Sequence, residues 1–103
     1  METASTVYIK HEAGFDAYYS VQWNGGETAR SNLMGLGMTI QGQPCGAQFD
    51  LNANGPPAGT ECWVRVYVQA GPNHDSGRNF IYQSGGGTVT YTCTGATVNP
   101  SFD

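Results

Sequence analysis

The sequence predicts an all-β domain, a small antiparallel β-sandwich of about seven strands with an immunoglobulin-like architecture; a small barrel is the alternative that patterning does not separate from it. Three observations lead there. Residues 15–23, 61–70 and 88–94 alternate side-chain character with the two-residue period of a strand. Charged residues are 12% of the chain, about half the usual share, so the helix-favouring Lys, Glu and Arg are scarce beside β-branched and aromatic residues. The 15 glycines cluster with Asn and Pro into breaks between the alternating runs.

Taken in order, residues 5–11 set Val7 and Ile9 against Tyr8 and Lys10, the pattern of a half-buried strand. The clearest strand is 15–23, with Phe15, Ala17, Tyr19, Val21 and Trp23 on one parity and Asp16, Tyr18, Ser20 and Gln22 on the other. Asn24-Gly25-Gly26 ends it in a turn, since these residues readily take positive φ. Residues 27–35 have no clear period. Leu36, Met38 and Ile40 alternate with Gly37 and Thr39 as a third strand. A loop follows over 41–46, then a short strand from Ala47 to Leu51. The stretch 52–60, with Asn54-Gly55-Pro56-Pro57, reads as irregular, because proline lacks the ladder donor.

The second strong strand is 61–70. Cys62, Val64, Val66 and Val68 face one way; Trp63, Arg65, Tyr67 and Gln69 face the other. A polar loop over 71–77, a strand around Phe80 and Tyr82, and a break at Gly85-Gly86-Gly87 precede the last strand. There Val89, Tyr91 and Cys93 oppose Thr88, Thr90, Thr92 and Thr94, a threonine row suited to a solvent-facing sheet. The tail from Val98 docks or frays. Trp63 adjoins Cys62 on the opposite parity, unlike the Cys–Trp–Cys arrangement of true immunoglobulin domains, so the pattern supports the architecture and not that family.

The 103 residues fit a single domain, 1–103. The formal net charge is −4, with Lys10, Arg30, Arg65 and Arg78 as the scattered cations. Nucleic acid needs a basic patch, and the chain offers none. No apolar run approaches a membrane span. Met1 to Thr6 lacks the basic and apolar regions of a signal peptide. Met1 is read as the start of a mature, secreted or cell-surface chain whose leader was removed, with a cytosolic protein as the alternative. A monomer is expected.

Cys45, Cys62 and Cys93 lack zinc spacing. Cys62 and Cys93 both fall on apolar parity, so a Cys62–Cys93 disulfide is favoured over Cys45–Cys62; three free thiols in a reducing compartment are the competing reading.

Two constellations carry possible chemistry. Asp50, Asn52, Asn54, Gly55 and Glu61 satisfy the calcium-loop expression D-x-[DN]-x-[DN]-G-x5-E. Strands flank it where helices should, and two prolines stiffen it, so a polar loop is the better account and no cofactor is expected; a weak calcium site of another geometry on Asp50, Asn52, Asn54 and Glu61 is the alternative. Trp63, Arg65 and Tyr67 project from one strand face, and Tyr18 lies on the polar face of its own strand. If those strands are neighbours, they form an exposed aromatic patch with a cation, suited to stacking on sugars or to burial at a protein interface. The plain alternative is a face covered by a loop, with Arg65 lying across the rings.

His11, Glu12, His74 and Asp75 would make an acid–base or metal site only if their loops converge, and Ser76 has no G-x-S-x-G elbow around it. No catalytic set is complete. The glycines of 33–38 are not a phosphate loop, and Asn99-Pro100 blocks the one glycosylation sequon. The leading expectation is a non-catalytic binding module using Trp63, Arg65, Tyr67 and Tyr18. A structural or surface-antigen domain with loops 52–60 and 71–77 displayed comes second, and a small enzyme third.

Overall fold

A computed structural model of the chain describes residues 1–35, 39–40, 43–44, 46–69, 71–96 and 99–102. The fold is all-β, built of two mixed sheets, one of them a half-barrel. The strands are β1 (Thr3–Ala4), β2 (Thr6–His11), β3 (Ala17–Trp23), β4 (Gly26–Glu27), β5 (Thr39–Ile40), β6 (Gln43–Pro44), β7 (Gly46–Asp50), β8 (Glu61–Val68), β9 (Asn73–Asp75), β10 (Phe80–Tyr82), β11 (Thr88–Ala96) and β12 (Asn99–Phe102). The larger sheet runs β1-β10-β8-β3-β4 with β9 also on β8; the smaller runs β12-β11-β2-β7; β5 and β6 pair with each other.

The centre of the larger sheet is the antiparallel pair β3–β8, in register from Ala17 opposite Val68 to Trp23 opposite Cys62. Period-two patterning on both strands makes this register self-consistent: Ala17, Tyr19 and Val21 meet Val68, Val66 and Val64 on the inner face, and all six are buried. Gln69 N–H donates to Asp16 C=O at 3.0 Å. Alternation from that bonded pair leaves the backbone groups of Ala17, Tyr19 and Val21 pointing away from β8. They meet residues 28–34. Thr28 N–H donates to Val21 C=O at 3.0 Å, Ser31 N–H to Tyr19 C=O at 2.8 Å, and Ala17 exchanges bonds with Met34 at 3.0 and 2.8 Å. The Thr28 and Ser31 hydroxyls accept from the Val21 and Tyr19 N–H groups, each at 3.0 Å. Side-chain oxygens thus stand in for strand carbonyls, so residues 28–34 guard the β3 edge without hydrophobic period.

The turn at Asn24-Gly25 joins β3 to β4, with Gly25 at φ 105° and Trp23 opposite Gly26. A Cβ on Gly26 would come within 2.9 Å of the Trp23 indole nitrogen, so glycine lets the ring lie over the hairpin.

The sheets are not purely antiparallel, as the pattern alone suggested. β1 pairs β10 in parallel, and β2 pairs β11 in parallel from Thr6 opposite Thr88 to His11 opposite Cys93. Alternation tells which face a residue takes but not strand direction. Strands also outnumber the expected seven, because several are two-residue pairings. The 71–77 stretch contains β9, which extends the β8 edge. The 52–60 stretch begins with a helical turn, α1 (Leu51–Asn54), capped by the Asp50 side chain, which accepts from Asn52 N–H at 3.0 Å. The tail docks: Phe102 of β12 lies opposite Cys93 and its ring sits edge-on to Tyr19 and Tyr91. Of the third strand expected around Leu36, Met38 and Ile40, positions 36 and 38 lie outside the described residues, as does Cys45.

The favoured Cys62–Cys93 disulfide is not formed; both residues are free, buried thiols. Both point into the core, as their parity required, but at different levels of it. The Cys93 thiol reaches Tyr19, which is paired with Val66, four residues along β8 from Cys62. Cys62 lies opposite Trp23 and Phe80 in the larger sheet, and Cys93 opposite His11 and Phe102 in the smaller. Burial pushes the Cys62 thiol up to about 11, and burial raises Cys93 as well against an opposing hydrogen bond from Tyr19. Alkylation requires the thiolate. Iodoacetamide at pH 8 is therefore expected to leave Cys62 and Cys93 unmodified in the native domain and to label both after denaturation, as read by peptide mass mapping; rapid native labelling of either would contradict their placement.

Candidate functional site

The outer face of β3 and β8 carries the residues singled out for binding. Register places Tyr18 opposite Tyr67, Ser20 opposite Arg65 and Gln22 opposite Trp63. The neighbouring strands extend each row, with Asn73 beside Tyr67, Asp75 beside Arg65 and Glu27 beside Gln22. Tyr18, Trp63, Arg65 and Tyr67 therefore share one face.

They are not equally accessible. Tyr18, Trp63 and Arg65 are half-buried, whereas Tyr67 is only 8% exposed. The Arg30 guanidinium covers the Tyr67 ring at 3.9 Å from its centroid, and Arg65 stands at 5.9 Å. The cation over the ring is thus Arg30, brought by the segment that guards β3, rather than Arg65. The Tyr67 hydroxyl donates to the Glu27 carboxylate, 3.1 and 3.2 Å from its two oxygens, and accepts from the Gln22 amide at 3.3 Å. The same amide donates to Ser20 Oγ at 2.5 Å, so Ser20 and Gln22 are buried yet satisfied.

Arg65 instead turns to Asp75, with Nε to Oδ1 at 2.5 Å and a second bond to Oδ2 at 3.1 Å. That fork holds Asp75 below its ordinary carboxylate pKa, mainly through the Arg65 hydrogen bond, with burial opposing and smaller help from the Arg65 charge and the Trp63 indole. It likewise raises Arg65. Both side chains are well solvated, so the pair orients Arg65 more than it stabilises the fold. The Trp63 indole nitrogen is sealed from solvent and makes no well-formed hydrogen bond.

Sequence reasoning missed Glu27 and Arg30, which lie in the stretch without a period. One signal pointed to Glu27: a two-residue Asn-Gly turn fixes its pairing opposite Gln22. Nothing comparable marks Arg30.

The histidines do not form one site. His11 is buried, with Nδ1 2.5 Å from the Tyr19 hydroxyl and Nε2 without a well-formed hydrogen bond. His74 is exposed and stacks on Phe102 at 6.2 Å. The rings of Tyr19 and Phe102 lie between them. Asp75 is held by Arg65, and Ser76 Oγ accepts from Val64 N–H at 3.1 Å and donates to Arg78 C=O at 3.0 Å, as a strand-edge contact. In the calcium-like motif, Asp50 caps α1, Asn52 Oδ1 accepts from the Tyr82 hydroxyl at 3.0 Å, and Glu61 accepts from the Asn79 amide at 2.6 Å. Among the described residues no group of three or more His, Cys, Asp or Glu side chains is arranged to hold a metal ion. No helix among them is long and apolar enough to cross a membrane.

No family model matches the chain, and no curated protein matches it. Among solved structures the chain is similar to part of wild-type pneumolysin, with a TM-score of 0.44 and 12% identity over 96% of this chain; it spans 22% of that chain's length. A likeness at that level carries no inference about function.

Burial lowers the His11 pKa, while the Phe15 backbone and the Asp16 charge partly oppose the shift. The folded value thus lies below the unfolded one, so the unfolded chain takes up the proton first. This contribution to stability is full above the ordinary histidine value of 6.5 and is lost as pH falls from there toward the folded pKa. Denaturant unfolding is expected to give a lower free energy at pH 5 than at pH 7.5, with Tyr19→Phe costing about 1–3 kcal/mol at pH 7.5 through the partner it removes from His11. A His11→Gln domain that kept the same pH slope would refute the assignment to His11.

Proposed function

We propose that the domain is a non-catalytic binding module of a secreted or cell-surface protein, monomeric and without a membrane span of its own. It engages a protein or glycan surface with the outer face of the larger sheet. The observation that supports this reading is the clamped state of that face. The Tyr67 ring lies between Arg30 and Glu27, and Arg65 is forked onto Asp75, while the half-buried Tyr18 and Trp63 lie beside them. A face whose long side chains are already fixed loses little rotamer freedom on binding. Trp, Tyr and Arg are also the residues that contribute most where partners meet. Tyr18, Trp63 and Arg65 make the contact, and Tyr67 supports them from beneath Arg30.

The test is an NMR titration of the labelled domain with a panel of soluble cell-surface glycans, following the two indole signals. A saturable shift at Trp63 with Trp23 unmoved is expected for a glycan ligand, and Trp63→Ala should abolish binding while leaving the amide spectrum folded. Binding that survives both Trp63→Ala and Tyr18→Ala would remove the face from the account.

A further inference from the structure

A second surface, which adjoins that face at Glu27, lies where the two sheets part. Among the described residues strand β7 pairs with β2 alone, and its other edge looks across a groove toward residues 27–34. The groove has a wider section of about 610 Å³ and a narrower one of about 440 Å³, which share Ala29, Gln48 and Phe49 as walls. The free edge is chemically open. Leu51 N–H donates to Ser5 C=O at 2.9 Å, in the same register that sets Val7 opposite Phe49 and Ile9 opposite Ala47. By the alternation of an antiparallel ladder, those residues bond to β2, and the N–H and C=O of Gln48 point into the groove. The partly buried Phe49 offers apolar surface beside them, with Ala47 and Met34 buried behind it.

The groove is also polarised. Glu27 and Asp50 both line the wider section, no Lys or Arg lines it, and among the described residues neither carboxylate is in an ion pair. Both accept hydrogen bonds, Glu27 from the Tyr67 hydroxyl and Asp50 from Asn52 N–H, which holds them in place without neutralising them.

We propose that this groove takes an extended, cationic segment of a partner polypeptide as an added strand on β7. Its backbone pairs with Gln48, a side chain covers Phe49, and a lysine or arginine lies between Glu27 and Asp50. Main-chain pairing supplies the affinity, and the two carboxylates select the charge.

The probe is a short peptide of alternating threonine and valine with a lysine at each end, so that either strand direction brings a cation to the acidic section. Hydrogen exchange at the Gln48 amide should slow about tenfold when the peptide is at ten times its dissociation constant. The same peptide with N-methylated backbone should give no protection. A peptide ending in glutamates should bind more weakly, and a Glu27→Gln, Asp50→Asn domain should lose that discrimination while staying folded, since Asn also caps a helix well. Equal protection by both peptides, or a Gln48 amide already protected in the free domain, would overturn the proposal. Protection that grows with protein concentration alone would overturn it too, by making a second copy of the chain the occupant. The readout lies at Gln48 and not at Trp63, so its failure leaves the aromatic face untested and intact.

Discussion

The register between β3 and β8 is the constraint on which the other features depend. It sends Tyr19, Val21, Val64 and Val66 into the core and Tyr18, Gln22, Trp63 and Tyr67 to the outer face in one step. A slip of β8 by a single residue would turn Arg65 and Gln69 toward the core and Val64 and Val66 outward. Both strands carry the same strict alternation, so core burial and outer-face composition specify the same pairing. The unused backbone groups of β3 then determine what must lie alongside. Residues 28–34 answer them with two hydroxyls, three main-chain donors and one carbonyl, and in doing so carry Arg30 over Tyr67 and Glu27 to its hydroxyl.

Much of this was legible in the residues. The parity of 15–23 and 61–70 defined the inner and outer faces, and the Asn24-Gly25 turn defined where β3 reverses. The sharing of one face by Tyr18, Trp63, Arg65 and Tyr67 followed once the strands proved to be neighbours. Strand direction and partner were not legible, because period two is the same for parallel and antiparallel neighbours. The pairing of β2 with β11 joins residues from the two ends of the chain with no local signal between them. The cysteines illustrate the same limit: parity placed both thiols inward, but their heights along the sandwich depend on inter-sheet register, which pattern does not encode. The burial of Tyr67 was hidden for a related reason, since its cover comes from a segment whose hydrogen bonding runs through side chains.

The open side of the sandwich has a physical cause of its own. Sheet edges attract further strands unless they are blocked. The β3 edge is blocked by the 28–34 segment, but β7 faces the groove with no strand paired to Gln48 on that side among the described residues, and it lacks the lysine or proline that commonly protects such an edge. The clamped aromatic face and the open edge meet at Glu27, which accepts from Tyr67 and lines the groove.

The β3–β8 register is tested most directly by cross-strand nuclear Overhauser effects between α-protons. Residues in the non-hydrogen-bonded pairs bring their α-protons closest. Strong cross-peaks between the α-protons of Tyr19 and Val66, and between those of Val21 and Val64, are the expected result. Cross-peaks linking Tyr18 or Ser20 to Val66 in their place would mean a register shifted by one residue, with the aromatic face and the core exchanged.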